Sequence, residues 1–554
     1  MPENAPTTPT APTLNEREKK SDRIYRFIIS ALCFAMCTVQ IVNVIYPFFI
    51  SSEFFVIHFM FGMFMCYLVY DYKGKKRYFY SPAKIFDIIL ALGVAAVAIY
   101  ILRDIDAFLL RMDLVASPTD IVMGAICTVI VLEGCRRLTG PSLPAIALIT
   151  ILYALFGKYL PGLIGHKGYS FTRVIKTIFS QQGIFGMPIG VSANTVFLFL
   201  LFGAFLNVCG ADLIFRDLST ALAGRKRGGP AKIAIIASAI FGTISGSSVA
   251  NVVSTGTFTI PMMKRCGYRP VFAGAVEAVA STGGQIMPPI MGAAAFLMAE
   301  ITGIPYASIV VAAILPAILY FTGIFLMVHF EGKRLGLKRL PKDSIPHFFR
   351  LLAKSGYLLI PVVILVICMN YFTAGMSACF AILFSLIISL IGRDKHDLVR
   401  TIGLPLIPLA TLVILWQVLK IDTGTSVFVA MVAAVLCSFL TRSAILSPRL
   451  VAEGLQGGAG SSIGVAVACA MAGIISGVVS MTALGTTLVA VIVPLAQKSI
   501  FLALFCTMLA CIVLGMGVPT TANYVIMATI TAPILIKMGI PLLAAHMFVF
   551  YFGI

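Results

Sequence analysis

Two short polar segments, rich in small residues, interrupt apolar sequence in the same register. The first reads Ser245-Gly246-Ser247-Ser248-Val249-Ala250-Asn251, the second Gly515-Met516-Gly517-Val518-Pro519-Thr520-Thr521-Ala522-Asn523. Asn251 and Asn523 stand 272 residues apart, and the same offset pairs Thr259 with Thr531, Pro261 with Pro533 and Gly267 with Gly539. The segments offer hydroxyl and amide oxygens, and their glycines let the backbone turn and approach closely. Carbonyls freed at a helix break carry partial negative charge. That inventory suits a hard monovalent cation such as Na⁺. Ser281-Thr282-Gly283-Gly284-Gln285, followed by Pro288-Pro289, cannot continue a regular helix, and Gly283, Gly284, Pro288 and Pro289 are placed to close the first site. Small residues alone would serve helix packing. The paired, in-register recurrence with an asparagine at each end favours a site.

Glu277 has no Lys or Arg within one helical turn. An ionisable residue at membrane depth is a functional hypothesis by default: it carries a coupling proton, organises the cation site, or is held structurally by hydrogen bonds. Glu133, Asp212 and Glu300 read as interfacial or arginine-paired. His546 and Trp416 read as packing residues or interface anchors.

The elements that position these residues are membrane helices. Hydrophobic residues make up 59% of the 554 and charged ones 11%, far below the ~25% charged of soluble domains. A polytopic all-α membrane protein follows, since each span needs roughly 20 apolar residues. A β-barrel is excluded by the continuity of the runs. The net charge of +19 resides in clusters between apolar runs, such as Lys73-Gly74-Lys75-Lys76-Arg77 and Arg225-Lys226-Arg227. They mark cytoplasmic loops near anionic lipid, not a nucleic-acid surface. The thirteen cysteines are scattered, and neither disulfides nor a metal site other than Na⁺ is expected. No zinc-protease or Walker A motif occurs, and neither an enzyme nor an ATPase is expected.

Residues 1–22 read as a disordered cytoplasmic tail. Apolar runs at about 24–47, 51–70, 84–102, 119–135 and 143–163 place spans in a region 23–170. The first repeat, 171–330, contains a hairpin at 231–264 whose arms, 231–244 and 252–263, are each too short to cross about 30 Å at 1.5 Å per residue. Basic residues at both ends make it re-entrant. A cytoplasmic linker at 331–354 and four spans within 355–450 follow. The second repeat, 451–554, has an exit run at 461–481 and a second re-entrant hairpin at 501–537. Seven crossings separate the hairpins, so the repeats are inverted, as in many secondary transporters. Pro288 and Pro289 carried across by the offset fall beyond Ile554, and the second repeat is read as incomplete there.

At these motifs the sequence resembles the membrane component of a tripartite ATP-independent periplasmic (TRAP) transporter, with the closer likeness to fused permeases of the TAXI subclass. The residues that carry it are Gly246–Asn251, Gly267-Tyr268, Ala280-Ser281-Thr282-Gly283-Gly284-Gln285-Ile286-Met287-Pro288-Pro289 and Gly515–Asn523. The first 170 or so residues resemble the small-subunit-like part of such fusions in span count only. The resemblance implies an elevator-type secondary transporter in the bacterial inner membrane, importing an organic-acid-like solute delivered by a periplasmic binding protein and driven by Na⁺ or H⁺, with no other cofactor. It places cations at Ser245–Asn251, Gly283-Gly284 and Gly515–Asn523, and a substrate path along Ser281, Thr282, Gln285, Pro288, Pro289 and Pro519. A stand-alone ion-coupled dicarboxylate symporter, which shares inverted hairpin repeats, is the alternative.

Overall fold

Long uncharged segments satisfy their backbone groups internally, and the helix is how they do so in lipid. The computed structural model describes all residues except 1–13, 77–83, 163–164, 338–344, 392–397, 441–446, 488–489 and 491–498. Among the described residues the regular secondary structure is helical, apart from one isolated bridge between Tyr70 and Lys76. The N-terminal helices are α1 (Leu14–Ile45), α2 (Ser51–Val69), α3 (Lys84–Leu102), α4 (Ile105–Asp113), α5 (Pro118–Thr139), α6 (Ser142–Phe156) and α7 (Phe171–Ile178). A span from Met187 to Val208 comprises α8 (Met187–Val191), a π-turn and α9 (Phe197–Val208), and α10 (Ala211–Ala223) follows. Then come α11 (Gly229–Ser245), α12 (Ser248–Arg265), α13 (Pro270–Gly283), α14 (Ala293–Thr302) and α15 (Tyr306–Arg334). The second half has α16 (Phe348–Ser355), α17 (Ile360–Cys368), α18 (Ala374–Ser389), α19 (Leu398–Val413), α20 (Thr423–Leu440) and α21 (Pro448–Thr482). It ends with α22 (Ile500–Gly515), α23 (Thr520–Ile530), α24 (Ala532–Lys537) and α25 (Leu542–Gly553).

Nine of the described helices are long and apolar enough to cross a membrane, or ten if the α4–α5 pair, bent by 95°, is one span. That bend is held by Arg111, whose Nε and Nη2 donate to the Asp120 carboxylate at 3.0 and 3.2 Å. At the far end of α5, Arg137 is buried and donates to Asp87 at 2.7 Å and to Glu133 at 2.8 Å. Cys266 and Cys506 are the only cysteines not buried, and all thirteen are free thiols.

Helix α21 packs against α1, α2, α5, α6 and α9. Its glycines permit backbone-close crossings: a Cβ on Gly458 would sit 2.5 Å from Leu201 Cδ1 of α9, and one on Gly473 only 2.3 Å from the Gly183 carbonyl oxygen. Small residues at such crossings let membrane helices approach, and dispersion then rewards the contact. The expected run 461–481 is part of a longer helix, because Ser447 caps Leu450 N and Pro448 occupies the first turn. The expected linker 331–354 is helical at both ends, since α15 continues through Arg334 and α16 begins at Phe348. The hairpin arms are also longer than the apolar runs indicated. α11 has 17 residues and α12 has 18, because Ser, Thr and Asn in α12 extend the helix without adding hydrophobicity. Each arm reaches about 25–27 Å, so arm length alone does not decide between a re-entrant and a crossing hairpin.

Candidate functional site

The first tip forms because α11 runs into glycine. Gly246 takes a left-handed φ of +57° and returns its N–H to the Gly242 carbonyl at 3.2 Å, a standard way to stop a helix. Ser247 then caps α12, its Oγ accepting from Ala250 N at 3.3 Å. The tip presses on the interruption after α13. A Cβ on Gly246 would lie 2.6 Å from the Met291 carbonyl oxygen, and Ile290 N donates to Thr243 O at 3.2 Å. Met291 is itself buried at φ +59°, a conformation non-glycine residues adopt only when their surroundings impose it.

Asn251 lies under this tip, fully buried, and its Nδ2 donates to the Ser238 carbonyl at 2.8 Å. It packs where two glycines cross. A Cβ on Gly242 would be 2.2 Å from Gly284 Cα, and one on Gly284 would be 2.9 Å from Asn251 Nδ2. The second hairpin repeats the device. Gly517 has φ +73°, and buried Asn523 donates from Nδ2 to the Gly553 carbonyl. A Cβ on Gly515 would lie 2.4 Å from that same carbonyl oxygen. Gly283 is packed against α15, with Tyr320 Cε1 2.4 Å from where a Cβ would be. Each half therefore has an asparagine wedged at a glycine–glycine crossing between the first hairpin arm and the helix after the hairpin. Gly242 and Gly553 escaped the sequence reading, although Gly242 precedes Asn251 by nearly the interval that separates Gly515 from Asn523.

The two half-sites belong to one packed unit. α14 lies against α23, the helix that carries Asn523. Tyr551 of α25 donates to the Ala313 carbonyl of α15 at 3.1 Å. The second tip also touches the N-terminal region, where Ser142 Oγ of α6 donates to the Gly517 carbonyl. Among the buried side-chain oxygens without a partner are Gln285 Oε1 and Asn523 Oδ1. Of the other expected residues, Ser281 and Thr521 are buried, and Thr282 Oγ1 is satisfied by the Ala278 carbonyl at 2.9 Å. Ser248, Pro288 and Pro289 are half-buried at the tip and the interruption, and Pro519 and Thr520 are half-buried at the second tip.

Glu277 is fully buried where α11, α12 and α13 meet. Four hydroxyls donate to its carboxylate: Ser238 at 3.0 Å, Thr259 at 2.5 Å, Ser281 at 3.3 Å, and Thr255. Of these, Ser238, Thr255 and Thr259 were not singled out from sequence, although Asn251, Thr255 and Thr259 follow one another at the four-residue spacing of a single helix face. The residues 272 further on from Glu277 and Thr255 are Val549 and Met527, so the second half has no such carboxylate. His546 accepts or donates at Nδ1 to the Tyr524 hydroxyl at 2.8 Å, and Trp416 lies beside Phe372 and Phe380.

These features define a polytopic helical membrane protein whose polar interior is built from two related hairpins. Residues 126–554 match the family described as the DctM component of the tripartite ATP-independent periplasmic transporter. The chain belongs to that family; it is a transporter component and not an enzyme. It is similar to the C4-dicarboxylate TRAP transporter large permease DctM of Pseudomonas aeruginosa, 28% identical over 201 residues that cover 36% of this chain and 47% of that protein. It is also similar to the sialic acid TRAP large permease SiaM of Vibrio cholerae, 27% identical over 188 residues covering 34% and 44%. The 2,3-diketo-L-gulonate TRAP large permease YiaN of Escherichia coli is 27% identical over 169 residues covering 30% and 39%. The chain thus spans about half or less of the length of these relatives.

Proposed function

We propose that this chain is the large permease of a TRAP system of the TAXI type, fused to a small-subunit-like N-terminal region. It imports a small organic acid handed over by a periplasmic binding protein. A monovalent cation at each hairpin supplies the driving force, and the hairpins, re-entrant from opposite sides, move with their partner helices past the N-terminal helices. The observation that carries the reading is the repeated asparagine at a glycine–glycine crossing, with Asn523 Oδ1 and Gln285 Oε1 buried and unpartnered. Buried carbonyl-type oxygens without donors are costly unless something else satisfies them, and a dehydrated Na⁺ would. The relatives named above carry C4-dicarboxylate, sialic acid or diketogulonate in their names, and all of these are carboxylates. A carboxylate can be met by the N-terminal ends of α12 and α23 at the two tips. Basic clusters between spans support a cytoplasmic N-terminus.

The test is uptake of labelled carboxylates into proteoliposomes with Na⁺ and proton gradients imposed separately. Uptake that needs both a cognate periplasmic receptor and an inward cation gradient is the expected result. Gradient-driven uptake without any receptor would instead establish the stand-alone symporter. Equal uptake with no gradient would overturn cation coupling altogether.

A further inference from the structure

Arg26 of α1 and Lys76, in the turn after α2, stand at the mouth of a cavity of about 480 Å³. It lies where α1, α2 and α21 meet, far in sequence from either hairpin tip. Its inner wall is apolar: Ile29 and Cys33 of α1, Met65 and Val69 of α2, and Ile463 of α21 line it and are buried. Gly460 of α21 lines it too, and a Cβ there would meet nothing within 4 Å. No neighbouring side chain therefore fills the space beside that glycine. At the rim, Gln456 Nε2 donates to Ser30 Oγ at 2.9 Å and ties α21 to α1.

All three helices grade from polar to apolar in the same sense. α1 passes from Arg26 to Cys33, and α21 from Gln456 to Ile463, over seven positions each, or about 10 Å along the axis. α2 runs the opposite way, from Met65 to its end at Val69, and the chain then reaches Lys76. Neither cation meets an acid among the described residues. Lys76 Nζ lies 5.8 Å from the centre of the Tyr70 ring. Glu453, one turn before Gln456, pairs with Arg449 at 3.1 Å. The Asp71 carboxylate accepts from the Lys73 and Lys75 backbone N–H groups at 2.9 Å.

A free inorganic anion would match the mouth and leave the apolar wall bare. A hydrocarbon chain alone would match the wall and leave two cations facing each other across the opening. An amphiphile that carries a phosphate above its methylenes satisfies both. We propose that this cavity is a site for an anionic phospholipid, its phosphate held by Arg26 and Lys76 and its first methylenes laid against Ile29, Met65 and Ile463. The guanidinium of Arg26 suits a phosphate because it can donate two parallel hydrogen bonds. Phosphatidylglycerol adds only negative charge at the mouth, whereas phosphatidylcholine sets its own ammonium group against the same two cations. The bound lipid joins α1 and α2 to α21, and so ties the N-terminal helices to the second half of the chain.

The experiment uses the purified full chain, stripped of lipid in a neutral detergent. Phosphatidylglycerol, phosphatidylcholine or inorganic phosphate is added, retained lipid is counted by native mass spectrometry, and melting is followed in parallel. The wild type should retain phosphatidylglycerol at concentrations where phosphatidylcholine is lost, and should melt higher with it. Arg26→Gln together with Lys76→Gln should weaken that retention by about fivefold per cation removed. Both side chains are exposed, so the fold should persist. Gly460→Leu fills the cavity and should abolish retention. Without lipid it should melt at or above the wild type, since leucine favours a helix over glycine; the paired glutamine variant carries the test if Gly460→Leu does not fold. Equal retention of the two lipids by the wild type would overturn the site. So would a full preference for phosphatidylglycerol that survives in the paired variant or in Gly460→Leu. Stabilisation by inorganic phosphate equal to that by phosphatidylglycerol would assign the cavity to a soluble phosphate and overturn the lipid.

Discussion

Replacing Gly242 or Gly284 by alanine tests whether the asparagine wedge depends on backbone contact. A Cβ on Gly242 would sit 2.2 Å from Gly284 Cα, and one on Gly284 would sit 2.5 Å from Gly242 Cα. Carbon atoms pack at ~3.5–4.0 Å, so the overlap is roughly 1 Å or more in either case. The obstructing atoms are backbone and cannot rotate aside, so α11 must move off the break after α13. Overpacking of this kind costs about 1–3 kcal/mol. The displaced Asn251 amide, 3.0 Å from the new methyl on Gly242, would also lose its bond to the Ser238 carbonyl, adding about 1–3 kcal/mol for a stranded buried donor. Gly274→Ala on α13 is the control, since nothing lies within 4 Å of its Cβ position, and alanine in a helix gains up to ~1 kcal/mol over glycine. The assay is thermal melting of the purified chain, followed by gradient-driven uptake. Gly242→Ala and Gly284→Ala should melt lower than the wild type and lose cation dependence, while Gly274→Ala melts at or above it. Melting of all three variants together at the wild-type temperature would refute the wedge.

Asn523→Ala should weaken the Na⁺ dependence of uptake, and an unchanged sodium response would remove the second hairpin from the cation site. Arg137→Ala strands the buried Asp87 carboxylate and should cost about 3–5 kcal/mol, whereas Arg136→Ala, in a half-exposed pair with Glu133, should cost less than ~1 kcal/mol; melting curves separate them. Gly458→Ala should destabilise the α21–α9 crossing, while Gly464→Ala, with open space at its Cβ, should not. Tyr551→Phe removes the bond to Ala313 and should lower the melting temperature by the equivalent of about 1 kcal/mol.

Much of the architecture was legible because lipid leaves the backbone few options. Helix breaks at glycine and proline announce themselves, and two breaks in register announced a repeat. The length of α12 was not legible, because its Ser, Thr and Asn residues depress the apolar signal while remaining helical. The full reach of α21 was hidden for a related reason: Gly454, Gly457 and Gly458 look like a breaker cluster, yet they lie on close crossings with α9 that hold the helix together. At the site, Asn251 and Glu277 stood out by type. Ser238 did not, because it is one small polar residue on a different helix and only folding brings its hydroxyl to the carboxylate. Gly242 and Gly553 were invisible for the same reason, since the atoms they must avoid belong to distant segments.

The 272-residue offset picks out the residues that set backbone geometry and misses those that set charge. Gly267 and Gly539 both close their hairpins at positive φ, +104° and +87°. Thr259 Oγ1 and Thr531 Oγ1 each lie 2.9 Å from the carbonyl four residues earlier. Around Thr259, however, the partner across the helix interface is the Glu277 carboxylate, and around Thr531 it is the Cys511 thiol, 3.8 Å away. A shared backbone frame constrains glycine, proline and asparagine in both halves alike, while the chemistry within each frame diverges freely. The two hairpins therefore share one backbone device while presenting different side chains around it.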